Sequence, residues 1–415
     1  MPLPHHGRPA GEVLAALDEL QDADVRWRNG RAFTLAYSAG DDVVALQAEA
    51  YGRFMATNAL NTDAFPSLRR MQSDVVDTVA GWLHGGSDAA GFMTSGGTES
   101  LLLAVKAARD RGRAERGIDE PEMVLPTSAH AALEKAADYF GVRSVRVPVT
   151  DRWRADPAAM ATACNERTVL LVASAPQYPQ GVIDPVAEVA AIAAARGISC
   201  HVDACMGGVV LPFLERLGHP IAPWDFRVDG VTSISVDLHK YGYTAKGASV
   251  ILHRDKALRR YQTFVTDNWL GGLYGSSGVL GTKSGGAIAA AWAVLQHLGD
   301  DGYLRLASVA RALTEQLAAG IAAVDELVLR AEPETTLVAF GATDPVTFDV
   351  FALADALWQR GWYVDRQGPP PSLHCMVNAV HEGHIDEFLA DVAECAAAVA
   401  RAGAKGEQGA YGTVE

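Results

Sequence analysis

The sequence is short of several things, and each shortage narrows its class. Its five cysteines stand apart at 164, 200, 205, 375 and 395, and none forms a Cys-x-x-Cys pair. That excludes a disulfide framework or a thiolate metal site and leaves reduced thiols of the cytosolic kind. Excess basic charge is also missing. Fifty acids stand against 35 lysines and arginines, a net charge of −15. With no basic patch to neutralise phosphates, nucleic-acid binding is not expected. No window approaches the roughly 18 uninterrupted apolar residues of a membrane span. The alanine-rich run 186–195 is broken by Glu188 and reads as an amphipathic helix. The N-terminal Met-Pro-Leu-Pro-His-His-Gly-Arg lacks a signal peptide's apolar core, and no internal repeat is visible. The expectation is a soluble cytoplasmic protein without a membrane anchor. At 415 residues, 49% of them apolar, it can build one large core and a smaller second domain.

What is present is an alternation. Residues 1–60 read as an N-terminal segment with one helical pattern (Leu14, Leu17, Leu20) and a polar stretch. Between about 90 and 255, short apolar strands alternate with helical segments. Strands are predicted at Met123–Pro126, Ser144–Val147, Val169–Ser174, Ser199–Asp203, Val231–Val236 and Ser249–His253. Helices are predicted at Thr98–Ala114, Ala129–Phe140 and Pro185–Arg196. This is the α/β pattern of a mostly parallel sheet flanked by helices. It sets a large domain over 61–300. Residues 268–286 are glycine-dense and read as an ordered loop. A helix from Ala287 follows, bending into a long one that reaches about Ala322. A smaller α+β domain is expected over 301–402 and a tail over 403–415.

Three segments fall where such sheets bind ligands, off the carboxyl ends of strands. Lys240, in Asp-Leu-His-Lys-Tyr-Gly-Tyr, follows an apolar strand and sits beside His239. A lysine that is partly desolvated and rigidly held stays nucleophilic and forms Schiff bases. Asp203 ends the strand of His201-Val-Asp-Ala204, where a partly buried acid needs a cationic partner. Ser95-Gly96-Gly97-Thr98 opens a helix whose N–H groups and dipole favour a dianion. His130, in Ser-Ala-His-Ala, offers a flat ring. A carrier amine, a ring-nitrogen acid, a phosphate cup and a stacking ring are what pyridoxal phosphate needs from a protein. Each feature alone has an ordinary structural explanation: a glycine turn, a strand-end acid, a core histidine. Their order along successive strand ends is what argues for the cofactor.

The segments Gly91–Ser100, Ser128–Phe140, Gln177–Asp184, His201–Gly208 and Ser235–Gly247 resemble those of fold-type-I pyridoxal-phosphate enzymes of the group II decarboxylase superfamily, and within it the sphingosine-1-phosphate lyases. The resemblance runs from about Trp27 to Gly412. It implies a homodimer with the active site at the interface. It implies that Lys240 carries the cofactor, Asp203 pairs with the ring nitrogen and His130 stacks on the ring. Gly96, Gly97 and Thr98 would hold the cofactor phosphate, helped by Ser95 and His239. Gly281 and Thr282 would reach the phosphate of the neighbouring subunit's cofactor. Lys246 matches a second lysine implicated in catalysis and substrate-phosphate binding. Tyr37 and Tyr411 match substrate-site tyrosines.

One departure stands out. Where that family has Asn-Pro-Leu-His-Pro-Asp, this chain reads Asn58-Ala-Leu-Asn-Thr-Asp63, so the histidine that contacts phosphate is Asn61. Asparagine donates a hydrogen bond but brings no charge. A second difference separates two reactions. Amino-acid enzymes of this fold usually place an arginine in the small domain to grip a carboxylate, whereas here the matching stretch carries His374. A histidine cannot make the bidentate grip. The reading is therefore a carbon–carbon lyase acting on an amino alcohol by retro-aldol cleavage. Amino-acid decarboxylation is the alternative. A third reading, a scaffold without catalysis, is opposed by intact Lys240 and Asp203. His381-Glu-Gly-His384 lacks the spacing of a metal site, so no metal is expected.

Overall fold

The computed structural model describes residues 3–409. After helix α1 (Ala10–Gln21), α2 (Asp41–Phe54) and α3 (Pro66–Trp82) lead into the large domain. Pro66 is the first residue of α3, where its missing N–H costs nothing.

The large domain is built on seven strands: β1 (Ala90–Thr94), β2 (Glu122–Pro126), β3 (Arg143–Val147), β4 (Thr168–Ser174), β5 (Ser199–Asp203), β6 (Ser233–Val236) and β7 (Ser249–His253). Their spatial order is β1-β7-β6-β5-β4-β2-β3. The pairs from β6 through β3 are parallel, while β7 runs antiparallel to both neighbours. Two reversals leave β1 pointing the same way as β6, so their carboxyl ends share one edge. β2 and β4 to β7 are buried throughout, as expected for strands covered on both faces. Helices α4 (Gly97–Arg116), α5 (Ala132–Phe140), α6 (Pro157–Ala163), α7 (Val186–Ala195), α8 (Gly207–Arg216) and the short α9 (Lys256–Arg259) complete the layers.

The glycine-dense stretch holds one strand of a ribbon whose other strand precedes it. β8 (Phe264–Thr266) and β9 (Tyr274–Ser276) pair as an antiparallel ribbon. The long helix α10 (Gly286–Ala322) is bent at Gly299, whose φ of 56° lies in the left-handed region that glycine tolerates. The small domain pairs β10 (Leu327–Leu329), β11 (Leu337–Ala342), β12 (Asp365–Gln367) and β13 (Ser372–Met376) in the order β10-β11-β13-β12. Helices α11 (Val350–Gln359) and α12 (Ile385–Ala402) cover it.

The N-terminal segment joins both cores. Phe33 stacks on His381 at 4.2 Å and packs with Trp362 and Phe388, which closes the small-domain core. Val43 on α2 belongs to the large core. His381 bonds Ala32 O and Asn378, so its role is structural. No helix among the described residues is long and apolar enough to cross a membrane.

Candidate active site

The site lies along the carboxyl edge of β1, β5 and β6. The chain leaves β6 at Asp237, and the following turn returns Lys240 so that its Nζ stands 2.9 Å from Asp237 Oδ2. Asp237 is the partner that sequence reading missed. It is almost wholly buried and accepts the Ser249 hydroxyl at 2.6 Å. Burial, the largest single influence, would raise its pKa, yet the Lys240 ammonium, together with His239 and the Ser249 hydroxyl, outweighs burial and holds it below the usual carboxylate range. His239, 3.8 Å away, is itself pushed to about 4 by burial and adds little at neutral pH.

The glycine turn after β1 forms the N-terminus of α4, a helix of 20 residues. A Cβ on Gly97 would sit 2.8 Å from both Asp237 Oδ2 and Cys205 Sγ, so only glycine lets the turn approach β6 this closely. Ser95 is committed elsewhere: its N–H and hydroxyl both donate to Glu99 Oε2, at 2.6 and 2.7 Å. Glu99 Oε1 accepts Val279 N–H at 2.7 Å, which ties the turn to the glycine-dense segment. The Gly96–Thr98 amides of the first turn remain for an anion. His239 flanks them, its Cε1 3.5 Å from a Cβ built on Gly96, and its buried Nδ1 has no hydrogen-bond partner among the described residues.

Asp203 is buried at the end of β5 and accepts Cys205 N–H at 3.1 Å. His130 lies close enough for Asp203 and Lys240 to act on it electrostatically. Burial lowers its pKa, and Asp203 opposes the shift. A buried acid, a glycine-walled helix N-terminus and an orphaned imidazole nitrogen are the complement of a protonated ring nitrogen and a phosphate. The residues fit pyridoxal phosphate.

Lys246 counts as an exposed residue, but its amine turns back into the protein. Nζ donates to His239 O at 3.2 Å and stands 5.1 Å from the Tyr37 ring centroid. Because the amine rather than the stem titrates, burial and then the charge of Lys240 push it down to about 8, against an opposing pull from Asp237. Tyr37 OH contacts Met376 Sδ at 2.9 Å, and its ring meets Tyr241 edge-on at 5.1 Å. Between the domains, a cleft of about 470 Å³ is lined by Ser128, His130, Arg146, Tyr178, Asp365 and Arg366. Its arginines are engaged, Arg146 with Glu134 and Arg366 with Asp355. The His374 ring lies tilted against Tyr178 with centroids 4.3 Å apart, and full burial pushes it to about 4, so the ring is neutral. A larger cavity of about 680 Å³, lined by Arg154, His219, Arg311 and Glu334, holds none of these residues.

Other expected residues stand elsewhere in the single chain. Asn61 is exposed and accepts Asp63 N–H at 3.0 Å, closing a turn before α3. Gly281 and Thr282 are also exposed, and Thr282 Oγ1 accepts from Asn58 at 3.4 Å. Tyr411 lies outside the described residues.

Comparison with known proteins fits this geometry. The pyridoxal-dependent decarboxylase conserved domain matches residues 14–343. Sphingosine-1-phosphate lyase 1 of Rattus norvegicus is 41% identical over 395 residues, 94% of this chain and 69% of the relative. The chain belongs to the sphingosine-1-phosphate lyase family. Its activity class is that of a pyridoxal-phosphate-dependent lyase. A solved sphingosine-1-phosphate lyase from Burkholderia pseudomallei superposes with a TM-score of 0.92 at 39% identity, covering 97% of this chain and 94% of that one. Glutamate decarboxylase of Lactobacillus brevis superposes with a TM-score of 0.83 at 20% identity and shares the fold.

Proposed function

We propose that this lyase cleaves the Cα–Cβ bond of a phosphorylated amino alcohol of the sphingosine-1-phosphate class, releasing an aldehyde and an amine. The observation that carries this reading is Lys246. A second amine beside Lys240, titrating near 8, is suited to take the β-hydroxyl proton at Nζ. The bound cofactor supplies a sink for the electron pair released when the bond breaks. Lys240 holds the cofactor and yields its place to the substrate amine. Asp237 Oδ2 then stands within reach to hold the Lys240 ammonium. Asp203 keeps the ring nitrogen protonated, His130 covers the ring, and the Gly96–Thr98 amides with His239 hold the cofactor phosphate. Tyr37 and Lys246 face the substrate. The neutral His374 and the engaged cleft arginines suit a substrate without an α-carboxylate.

The division into a large domain over 61–300 and a small one over 301–402 puts this site at their junction. The working form is a homodimer in the cytoplasm. Five free cysteines support the location. The exposed Phe264, Trp269, Leu270, Leu273 and Val279 around the ribbon support a second copy on that face. There Gly281 and Thr282 would complete the other copy's phosphate site. Light scattering should report twice the chain mass, and a fully active monomer would rule the dimer out. The substrate is tested by incubating holoenzyme with sphingosine-1-phosphate and a panel of amino acids. Aldehyde from the phosphorylated amino alcohol is expected. Carbon dioxide from an amino acid, with no aldehyde, would overturn the reading.

A further inference from the structure

Behind Asp203 lies a run of buried polar side chains that the proposed reaction leaves unused. β5 and β6 pair His201 with Ser233 and Asp203 with Ser235. Strand side chains alternate, so these four share one face. Val202 and Ile234, between them, belong to the apolar core. None of the four polar residues is more than 8% exposed, so each polar atom needs a partner inside the protein.

The partners fix a direction. Ser235 Oγ donates to Asp203 Oδ1 at 3.3 Å. His201 Nε2 lies 3.2 Å from the same Oγ, and Cys205 Sγ lies 3.4 Å from it. A hydroxyl has one proton and two acceptor positions. With its proton committed to the carboxylate, Ser235 can only accept from His201 and Cys205. His201 therefore carries its proton on Nε2, and Nδ1 accepts the Ser233 hydroxyl 2.8 Å away. One ring proton is what this pattern requires. Burial keeps the imidazole neutral, pushing it to about 4 against the pull of Asp203.

We infer that Ser233, His201 and Ser235 form a one-way hydrogen-bond relay that positions Asp203 and keeps its carboxylate the acceptor, so that the proton stays on the cofactor ring nitrogen. This rests on the role proposed above for Asp203. The three residue types are those of a hydrolytic triad, but the order is not: the serine stands between histidine and aspartate. His201 and Ser235 also have no exposed surface. Each bond points toward Oδ1, so successive donors polarise one another. Donors to an ionised carboxylate favour that form. Without the Ser235 donor, Asp203 binds a proton more tightly and draws it from the ring nitrogen. The other ionisable groups acting on this pocket are His130, Asp184, Cys205, Asp237, Lys240 and His253. Of these only Cys205 touches the relay, as a second donor to Ser235 Oγ.

The test uses holoenzyme reconstituted with cofactor labelled with nitrogen-15 at the ring. Two quantities are read: the ring-nitrogen chemical shift and the cofactor dissociation constant. Ser235→Ala should move the shift toward unprotonated pyridine and weaken cofactor binding about tenfold, the scale of one hydrogen bond to a charged group. Ser235→Thr keeps the hydroxyl and should restore both. His201→Gln should weaken binding about threefold alone and add nothing in the Ser235→Ala background, because a broken chain transmits nothing. A Ser235→Ala shift equal to wild type, or additive effects in the double variant, overturns the relay if Asp203→Asn still moves the shift. An unmoved shift in Asp203→Asn overturns the Asp203 assignment and the relay with it.

Discussion

Lys240→Ala is expected to lose visible absorption and turnover together. The yellow band belongs to the cofactor bonded to this amine, and alanine has none. Turnover should fall at least on the order of 10³-fold, as when a nucleophile that works as a unit with its neighbours is removed. A yellow, active variant would sink the assignment. A second effect should appear in the apoprotein, through Asp237. Its side chain is 3% exposed and stands 2.9 Å from Lys240 Nζ. Removing one partner of a buried ion pair costs about 3–5 kcal/mol. The pH dependence should also reverse. In the wild type the pKa of Asp237 is lowered, so its contribution is present above the ordinary carboxylate value and lost as pH falls through the lowered one. In the variant, burial acts without the lysine and raises that pKa. Stability is then lost as pH rises through the raised value. Calorimetry of apo Lys240→Ala from about pH 4 to about pH 8 should show this loss, and Asp237→Asn added to it should remove the slope.

Lys246→Ala should keep the yellow band and lose carbon–carbon cleavage. A positioned general base contributes roughly 10²–10⁴-fold, which sets the expected loss. Wild-type kcat/KM should climb with pH, because a base acts unprotonated. With a pKa of about 8, roughly a tenth of Lys246 is neutral at pH 7 and roughly nine-tenths at pH 9. A rise of nearly tenfold between those values is expected, and Lys246→Ala should flatten it. Near-normal kinetics in the variant, on whichever substrate is turned over, would remove the main residue-level support for aldehyde release over decarboxylation.

β5 and β7 were readable from the sequence because short buried strands alternate with helical segments between turns, whereas β1 was not among the predicted strands. Ser199–Asp203 and Ser249–His253 have the predicted limits. The ribbon that leads into the glycine-dense segment was not readable. Its strands are three residues each with no buried residue, so neither length nor alternation marks them. Asn61 shows the opposite limit. Its residue type bears on a phosphate contact, and what the single chain adds is the turn it closes with Asp63.

The sequence by itself determined which chemistry this protein can host. Lysine, aspartate, histidine and a glycine pair each need a particular backbone setting, and short-range patterns already place them at strand and helix ends. Only the tertiary structure decided what those groups touch. Asp237 pairs with Lys240, Glu99 ties the cup to a segment 180 residues away, and Ser235 stands between His201 and Asp203. These contacts depend on strand register and on approach distances of 2.7 to 3.3 Å, with no sequence signature of their own. Burial is equally a property of the assembled fold, and it makes His201 neutral and brings Lys246 down to about 8. Residue identity supplied the reactive groups; packing set their charges and their partners.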